Sequence, residues 1–243
     1  MRRDRMGLAL ALVTLLGASA CSTAQGPDRW RGYNEPVFEF NDGLDRWVLG
    51  PVARGWDWLL PEFAITGVDN FFRNMDVPRT FVNDLLQGKP VDAGHDLGRF
   101  LVNTTVGVAG LFDVASPIGL RENEEDFGQT LGVWGTPSGP YALLPVLPFR
   151  CTARDWLAYP IDFAMNPLFI VTVVADLPIY GASVVDVVNE RAINDEQIEE
   201  NRREAIDWYV FVRDACLQDR EGEVRDDAGL TAEEEEDLYD FEE

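Results

Sequence analysis

The side chains able to do chemistry in this 243-residue chain are few: three cysteines, one histidine and a surplus of carboxylates. Cys21 has the most telling position. Arg2, Arg3 and Arg5 precede an apolar run from Gly7 to Leu16, then come the small residues Gly17, Ala18, Ser19 and Ala20, and then the cysteine. Charge, apolar segment and small-residue cleavage site in that order read as an export signal, and the run is too short to span a bilayer. Cleavage before Cys21 would leave an amino-terminal cysteine open to acylation, which makes it the expected lipid attachment site. Ala18 stands where leucine is commoner, so a plain secretory signal remains the alternative. Position 22 is Ser22 rather than the aspartate that retains such proteins at the inner membrane, which directs the expectation to the outer membrane, lipid-anchored on the periplasmic-leaflet side.

The other candidates argue against an enzyme. Cys151 and Cys216 could pair in an oxidising compartment, but a sequence carries no geometry and the pairing stays open. No CxxC or Cys/His spacing of a metal site occurs. His95, in AGHDLGRF, could serve as a general base if oriented. Asp96 beside it on a helix points elsewhere, so an ordinary polar contact is the plainer reading. GxSxG, GxxxxGK and HExxH are missing, and the Gly88–Lys89 pair has Asn83 where a phosphate loop needs glycine. The expectation is no catalytic residue, no metal and no cofactor.

Composition narrows the partners. The net charge is −23, and −25 once the first twenty residues, which carry +2, are removed. That balance opposes nucleic acid, where cations must neutralise phosphates, and opposes polybasic docking on anionic lipid. Contact with a membrane must then rest on the acyl anchor and on apolar surface. At 46% hydrophobic and 11% aromatic, the chain can still bury a core. Glu221–Glu243 holds twelve acids against Arg225; it reads as a solvated, disordered tail, or else as a docking arm for a basic partner. The expected organisation is a signal peptide over 1–20, a tether over 21–33, a helical domain over 34–220 and the acidic tail over 221–243.

The elements that must position these residues read as helices. Asn34 can cap and Pro36 fits a first turn, with Val37, Phe40, Leu44, Trp47 and Val48 at helical steps until Pro51 kinks or breaks the run. Trp47, Trp56 and Trp58 suit either a core or a membrane–water interface. Two short helices, Val68–Asn74 and Thr80–Gln87, are expected on either side of Pro78, with Gly88 as a C-cap. Pro90 opens another helix whose stripe is Val91, Gly94, Leu97, Leu101 and Thr104. Val106–Phe112 is apolar yet contains Gly107 and Gly110, each costing a helix about 1 kcal/mol relative to alanine; close helix approach or irregular apolar backbone would explain them. Gly128, Gly132 and Gly135 form a small-residue face of similar kind. Tyr141–Phe149 is broken by prolines. Helices over Asp155–Asn166 and Leu168–Asp186 follow, then one long helix from Ser183 to about Cys216 with Ala205, Trp208, Tyr209, Val212 and Ala215 as its buried stripe.

Five strings carry a family resemblance: YNEPVFEFNDGLDRWVLGPVA from Tyr33, GVDNFFRNMDVPRTFVNDLLQGK from Gly67, DLGRFLVNTTVGVAGLFDVAS from Asp96, EDFGQTLGVWGTPSGPYALLPVL from Glu125 and IDWYVFVRDACLQDR from Ile206. In this order they resemble the MlaA/VacJ family of outer-membrane phospholipid-trafficking lipoproteins, over Asn34 to Arg220. The resemblance implies an all-α, single-domain, ring-like bundle of amphipathic helices embedded in one leaflet. It also implies an amphipathic pore for misplaced outer-leaflet phospholipid, association with a trimeric porin, and hand-over to a soluble periplasmic lipid carrier. Cys216 departs from the family, which usually has tyrosine there, and Cys151 falls in a segment usually free of cysteine; no pairing follows from the family.

The residues themselves support a passage for amphiphiles. A head group crossing hydrocarbon costs several kcal/mol or more, and a polar-lined route with apolar surroundings lowers that barrier. Asn103, Thr104, Thr105, Gly107, Gly110, Leu111, Gly132, Gly135 and Tyr141 are the candidates for the passage; a bulky residue at Gly107 or Gly110 should block or misgate it. Phe38, Phe40, Trp47, Phe71 and Phe72 are candidates for membrane contact, although each alone is more often core. A structural envelope lipoprotein without transport activity, and a hydrolase using His95 or a carboxylate, are the competing readings.

Overall fold

A computed structural model describes residues 28–146, 150–169 and 180–225. The export signal, Cys21, the tether as far as residue 27, most of the apolar stretch after Leu168 and the acids from 226 onward lie outside the described residues. The helices are α1 (Arg31–Leu44), α2 (Gly50–Leu59), α3 (Glu62–Gln87), α4 (Pro90–Thr105), α5 (Phe127–Val133), α6 (Ala153–Met165), α7 (Tyr180–Ile193), α8 (Asp195–Glu204) and α9 (Trp208–Arg225). Among the described residues β structure is confined to an isolated antiparallel bridge between Tyr141 and Thr152.

The packing order closes on itself. α2 packs on α7, α7 on α3, α3 on α5 and α5 on α9. Phe38 of α1 then meets Tyr209 of α9 edge-on at 5.4 Å between centroids. α1 runs into α2 through a wide π-helical turn, Asp45–Leu49, and completes the circuit. The ring-like, all-α bundle implied by the family resemblance is therefore the architecture observed. The apolar core within it is small, built on Phe38, Tyr141, Leu143, Cys151 and Tyr209.

Several expected boundaries moved, each for a tertiary reason. Asn34 is not a cap: α1 already starts at Arg31, and the fully buried Asn34 donates to the Tyr141 carbonyl at 2.9 Å and accepts from Leu143 N at 3.1 Å. Satisfying that irregular strand-like backbone outweighs a helix start. Pro51 does not break the chain's helical course, because the π-turn ahead of it widens the ladder where proline lacks a donor. Pro78 does not separate two helices; α3 runs 26 residues through it, braced by α4, α5 and α7. The single long helix from Ser183 is instead three segments, bent at Asn194 and again at Ala205–Asp207. That fold-back lets Arg191 (2.7 Å) and Arg202 (2.8 Å) reach the same Asp45 carboxylate in the π-turn. Gly88 at φ 83° and Pro90 at a first turn stand as expected.

α9 is clamped in two ways. Arg220 pairs with Asp126 at 3.0 Å and with Asp155 at 2.9 Å, the first of these carboxylates being the N-cap of α5, where it forms a capping box with Gln129. Burial works against the charge of Asp126, yet Arg220 and Arg150 hold its carboxyl down to about 2. Cys216 forms a disulfide with Cys151, across a sequence separation of 65, which settles the pairing left open by the sequence. Closing a loop of that length constrains the unfolded chain by about 2–4 kcal/mol. Cys216→Ser should therefore lose about that much stability in detergent-solubilised protein, read as a lower denaturation midpoint with a larger m-value, because the unfolded chain is no longer cross-linked. An unchanged midpoint would mean that Arg220 alone secures α9.

Candidate functional site

The burial pattern is inverted. On α4 the predicted stripe of Val91, Leu97 and Leu101 exists at helical spacing but faces outward, while Asp96, Arg99 and Asn103 are buried. The largest fully buried side chains include Asn34, Asn83, Asn189, Asp84 and Asp96, whereas Trp47 and Trp58 are 83% and 86% exposed. Exposed apolar surface of this extent is disfavoured in water by about 25 cal/mol per Å². It is the natural exterior for a ring set among lipid chains, where the polar backbone and side chains must find partners inside. Among the described residues no helix is long and apolar enough to cross a membrane.

The interior is a connected polar lattice. Asn103 accepts from the backbone N–H groups of Val114 (2.8 Å) and Ala115 (3.0 Å) and donates to Asp113 at 3.0 Å, fixing the loop after α4. Arg99 reaches Ser116 at 2.9 Å and the Leu120 carbonyl at 2.7 Å, and Asn74 of α3 donates to Thr104 at 3.0 Å. Burial opposes the charge on Asp113, but hydrogen bonds from Ser116 and Asn103, with Arg99 nearby, hold its carboxyl at about 2. A cavity of ≈ 60 Å³ lies among Asn70, Asn74, Arg99, Asn103, Asp113 and Glu122. Between α3 and α4, buried Asp84 and Asp96 share a hydrogen bond; desolvation, then that contact, raises Asp96 well above the usual carboxylate range. Two buried carboxylates this close disfavour a second negative charge, so one proton shared between them is the expected arrangement.

Along the seam of α3 and α7 an apolar groove of ≈ 280 Å³ is lined by Val68, Phe71, Phe72, Leu111, Ala182 and Val185. Carboxylates follow on the same helices: Asp69 and Asp76 from α3, Asp186 and Glu190 from α7. Desolvation pushes Asp186 up to about 7, with Glu190, Asp76 and Asp69 adding repulsion; Glu190 is raised by the same desolvation and by Asp69, Glu124 and Asp76. On each helix an acid stands one turn from a groove residue, Asp76 from Phe72 on α3 and Asp186 from Ala182 on α7.

The sequence candidates do not form one lining. Asn103, Thr104, Gly107, Gly110 and Leu111 cluster at the α4 loop, with Thr105 exposed and donating to the Leu101 carbonyl. Gly132 abuts Arg154 and Val224, Gly135 lies in a turn at φ 92°, and Tyr141 is buried in the aromatic core. Gly107 and Gly110 have packing causes: an added Cβ would sit 2.2 Å from the Phe112 carbonyl oxygen or 2.6 Å from Asn74 Cβ, and Gly110 has φ 92°. A bulky side chain there unseats the loop, so such a variant does not isolate a passage. Phe38 is a correction: it is core, edge-on to Tyr209 and tilted against Trp208, because α1 must pack on α9 to close the ring. Phe40 and Trp47 are exposed, and Phe71 and Phe72 line the groove. Sequence reasoning missed Asp69, Asp76, Asp186 and Glu190; their i,i+7 and i,i+4 spacing placed each pair on one face but could not show the two faces meeting.

A closed helical ring with apolar outside and polar inside is the class that this fold and site define. The family model for the MlaA lipoprotein matches residues 26–223. An uncharacterized protein of Rickettsia felis is 35% identical over 82% of this chain and 78% of its own length. The intermembrane phospholipid transport system lipoprotein MlaA of Haemophilus influenzae is 31% identical over 89% of each chain. A solved chain described as the structural basis for maintenance of bacterial outer membrane lipid asymmetry aligns with TM-score 0.69 and 32% identity, covering 82% of this chain and 100% of that one. The chain belongs to the MlaA lipoprotein family.

The Asp84–Asp96 pair carries a pH signature. Because the folded carboxyl binds its proton more tightly than the unfolded one, the native state holds more protons, and stability is greatest in acid and declines as pH rises through the raised pKa. Asp96→Asn keeps a hydrogen-bond donor toward Asp84 and should flatten that alkaline decline in thermal melts from pH 5 to pH 9. A variant melting curve with the wild-type slope would show that the pair does not share a proton.

Proposed function

We propose that this chain is an outer-membrane lipoprotein, acylated at Cys21, that lodges its ring in the inner leaflet and lets misplaced outer-leaflet phospholipid descend to the periplasm. On this reading a trimeric porin holds it in place, a soluble periplasmic carrier receives the lipid, and the net traffic is retrograde, maintaining lipid asymmetry. The observation that carries it is the inverted burial around a closed circuit of helices: an indole-rich exterior enclosing a polar lattice on which a head group could exchange water for protein partners. The domain boundaries expected from sequence, with an export signal, a short tether and an acidic tail around the ring, fit this placement. No energy-coupling motif occurs in the chain, so movement through it is passive and its direction is set by what removes lipid. Family kinship with the transport-system lipoprotein of Haemophilus influenzae supports the same substrate class.

Deleting the gene should make phospholipid in the outer leaflet accessible to an externally added phospholipase, and restoring it should reverse that. Unchanged accessibility, with loss of mechanical integrity, would favour a structural role instead. In the purified protein, Trp47→Ser with Trp58→Ser should lower partitioning onto phospholipid vesicles by at least about tenfold, since each indole buries a large area on insertion. Full retention on vesicles would overturn the assignment of the exterior.

A further inference from the structure

Two of the four carboxylates beside the α3–α7 groove, Asp186 and Glu190, take no part in the ion pairs that hold the ring together. Among the described residues neither Asp186 nor Glu190 has an ion pair, although they stand one turn apart on α7. Across the seam, Asp69 is within 3.6 Å of Arg73, and Asp76 accepts from Asn166 at 2.9 Å with Arg79 at 3.5 Å. Arg73 is itself committed to Glu122 at 2.6 Å, with Glu124 at 3.6 Å. The neighbourhood therefore has an excess of negative charge around half-buried Asp186, where desolvation already disfavours it, with Glu190 exposed one turn further on. Such charge is an unfavourable feature of the empty groove and a favourable one only when a cation arrives.

The groove supplies the other half of the requirement. Its apolar wall of Val68, Phe71, Phe72, Leu111 and Val185 borders an open space of ≈ 280 Å³, the scale of a stretch of acyl chain rather than of a whole lipid. Phe72 and Asp76 stand one turn apart on α3, as do Ala182 and Asp186 on α7, so each acid shares a helix face with a groove residue and a molecule lying in the groove would present its polar end to the acids. A head group with only a phosphate would meet repulsion there. One that ends in a primary ammonium would donate charge-assisted hydrogen bonds to Asp186 and Glu190, while its phosphate stays toward the Arg73 side of α3.

We propose that the α3–α7 groove seats a single phospholipid whose head group bears a primary ammonium, and that Asp186 and Glu190, with Asp69 and Asp76, select it over anionic phospholipid. This rests on the transport reading above and names the substrate class that the same ring prefers. Arrival of the ammonium also returns Asp186 to the ionised state, so occupancy and ionisation reinforce one another.

The test uses the full-length protein in detergent micelles with three fluorescent lipids of identical acyl chains: phosphatidylethanolamine, its N-acetylated form and phosphatidylglycerol. Wild type should bind the free amine about tenfold more tightly than either of the others, the scale of a charge-assisted contact. The comparison between free and acetylated amine needs no mutation and so cannot be confounded by misfolding. Asp186→Asn with Glu190→Gln should bring the free amine down to the level of the acetylated lipid, and Val185→Trp should weaken all three by filling the groove. Equal binding of free and acetylated amine by wild type would overturn the selection. A preference that survives the double substitution would place it elsewhere and overturn the assignment to these acids. Binding of none of the lipids, together with unchanged surface phospholipid after gene deletion, would instead bring down the transport reading itself.

Discussion

The structure depends on one constraint: with its apolar side chains turned outward, the ring must satisfy most of its buried polar groups from within. A helix bundle in water buries leucine and exposes asparagine; here buried Asn34, Asn83 and Asn189 reach to neighbouring segments. Asn189 shows the economy of this arrangement. It donates to the Ile65 carbonyl at 3.1 Å and accepts from the Trp56 indole at 3.0 Å, so one side chain ties α7 to both α3 and α2. An unmet amide at that place would cost about 1–3 kcal/mol, and a set of such contacts gives the ring its shape where a conventional core is small.

Ion clusters do similar work at the points of greatest bending. Asp45 sits in the π-turn that redirects α1 into α2 and receives Arg191 and Arg202 from the folded-back α7–α8 segment. Desolvation opposes its charge, and the two guanidiniums more than offset this, leaving its carboxyl below the usual range. At the other side of the ring Arg220 and the disulfide secure α9 against α5 and α6. Buried pairs of this kind are poor evidence for net stability, since desolvation offsets much of the attraction. Their value lies in specifying which segments meet. Asp186 and Glu190 at the α3–α7 seam stand apart from this logic: among the described residues they add like charge with no ion pair of their own, and a ring built only for rigidity would have no reason to place them beside an apolar groove.

Much of the architecture was legible in the chain. Helical spacing, the cap at Gly88 and the first turn at Pro90 located helices. What the residues left open was orientation. The α4 stripe of Val91, Leu97 and Leu101 is amphipathic whichever way it faces, and periodicity has no sign that separates a water-soluble core from an exterior in hydrocarbon. The same ambiguity explains Phe38 and Phe40, two residues apart on one helix, of which one is core and the other exposed.

The sequence by itself determined which segments could be helical and, through five ordered strings, its kinship. These follow from local backbone preference and from residue types, which need no partner to be read. Only the tertiary structure decided that Pro78 lies within a continuous α3, that Cys151 meets Cys216, that the glycines of the α4 loop answer to close packing, and that carboxylates from α3 and α7 share one seam. Each of these is a contact between residues far apart in the chain. Its energy depends on distance and desolvation in three dimensions, quantities that spacing along one helix does not contain.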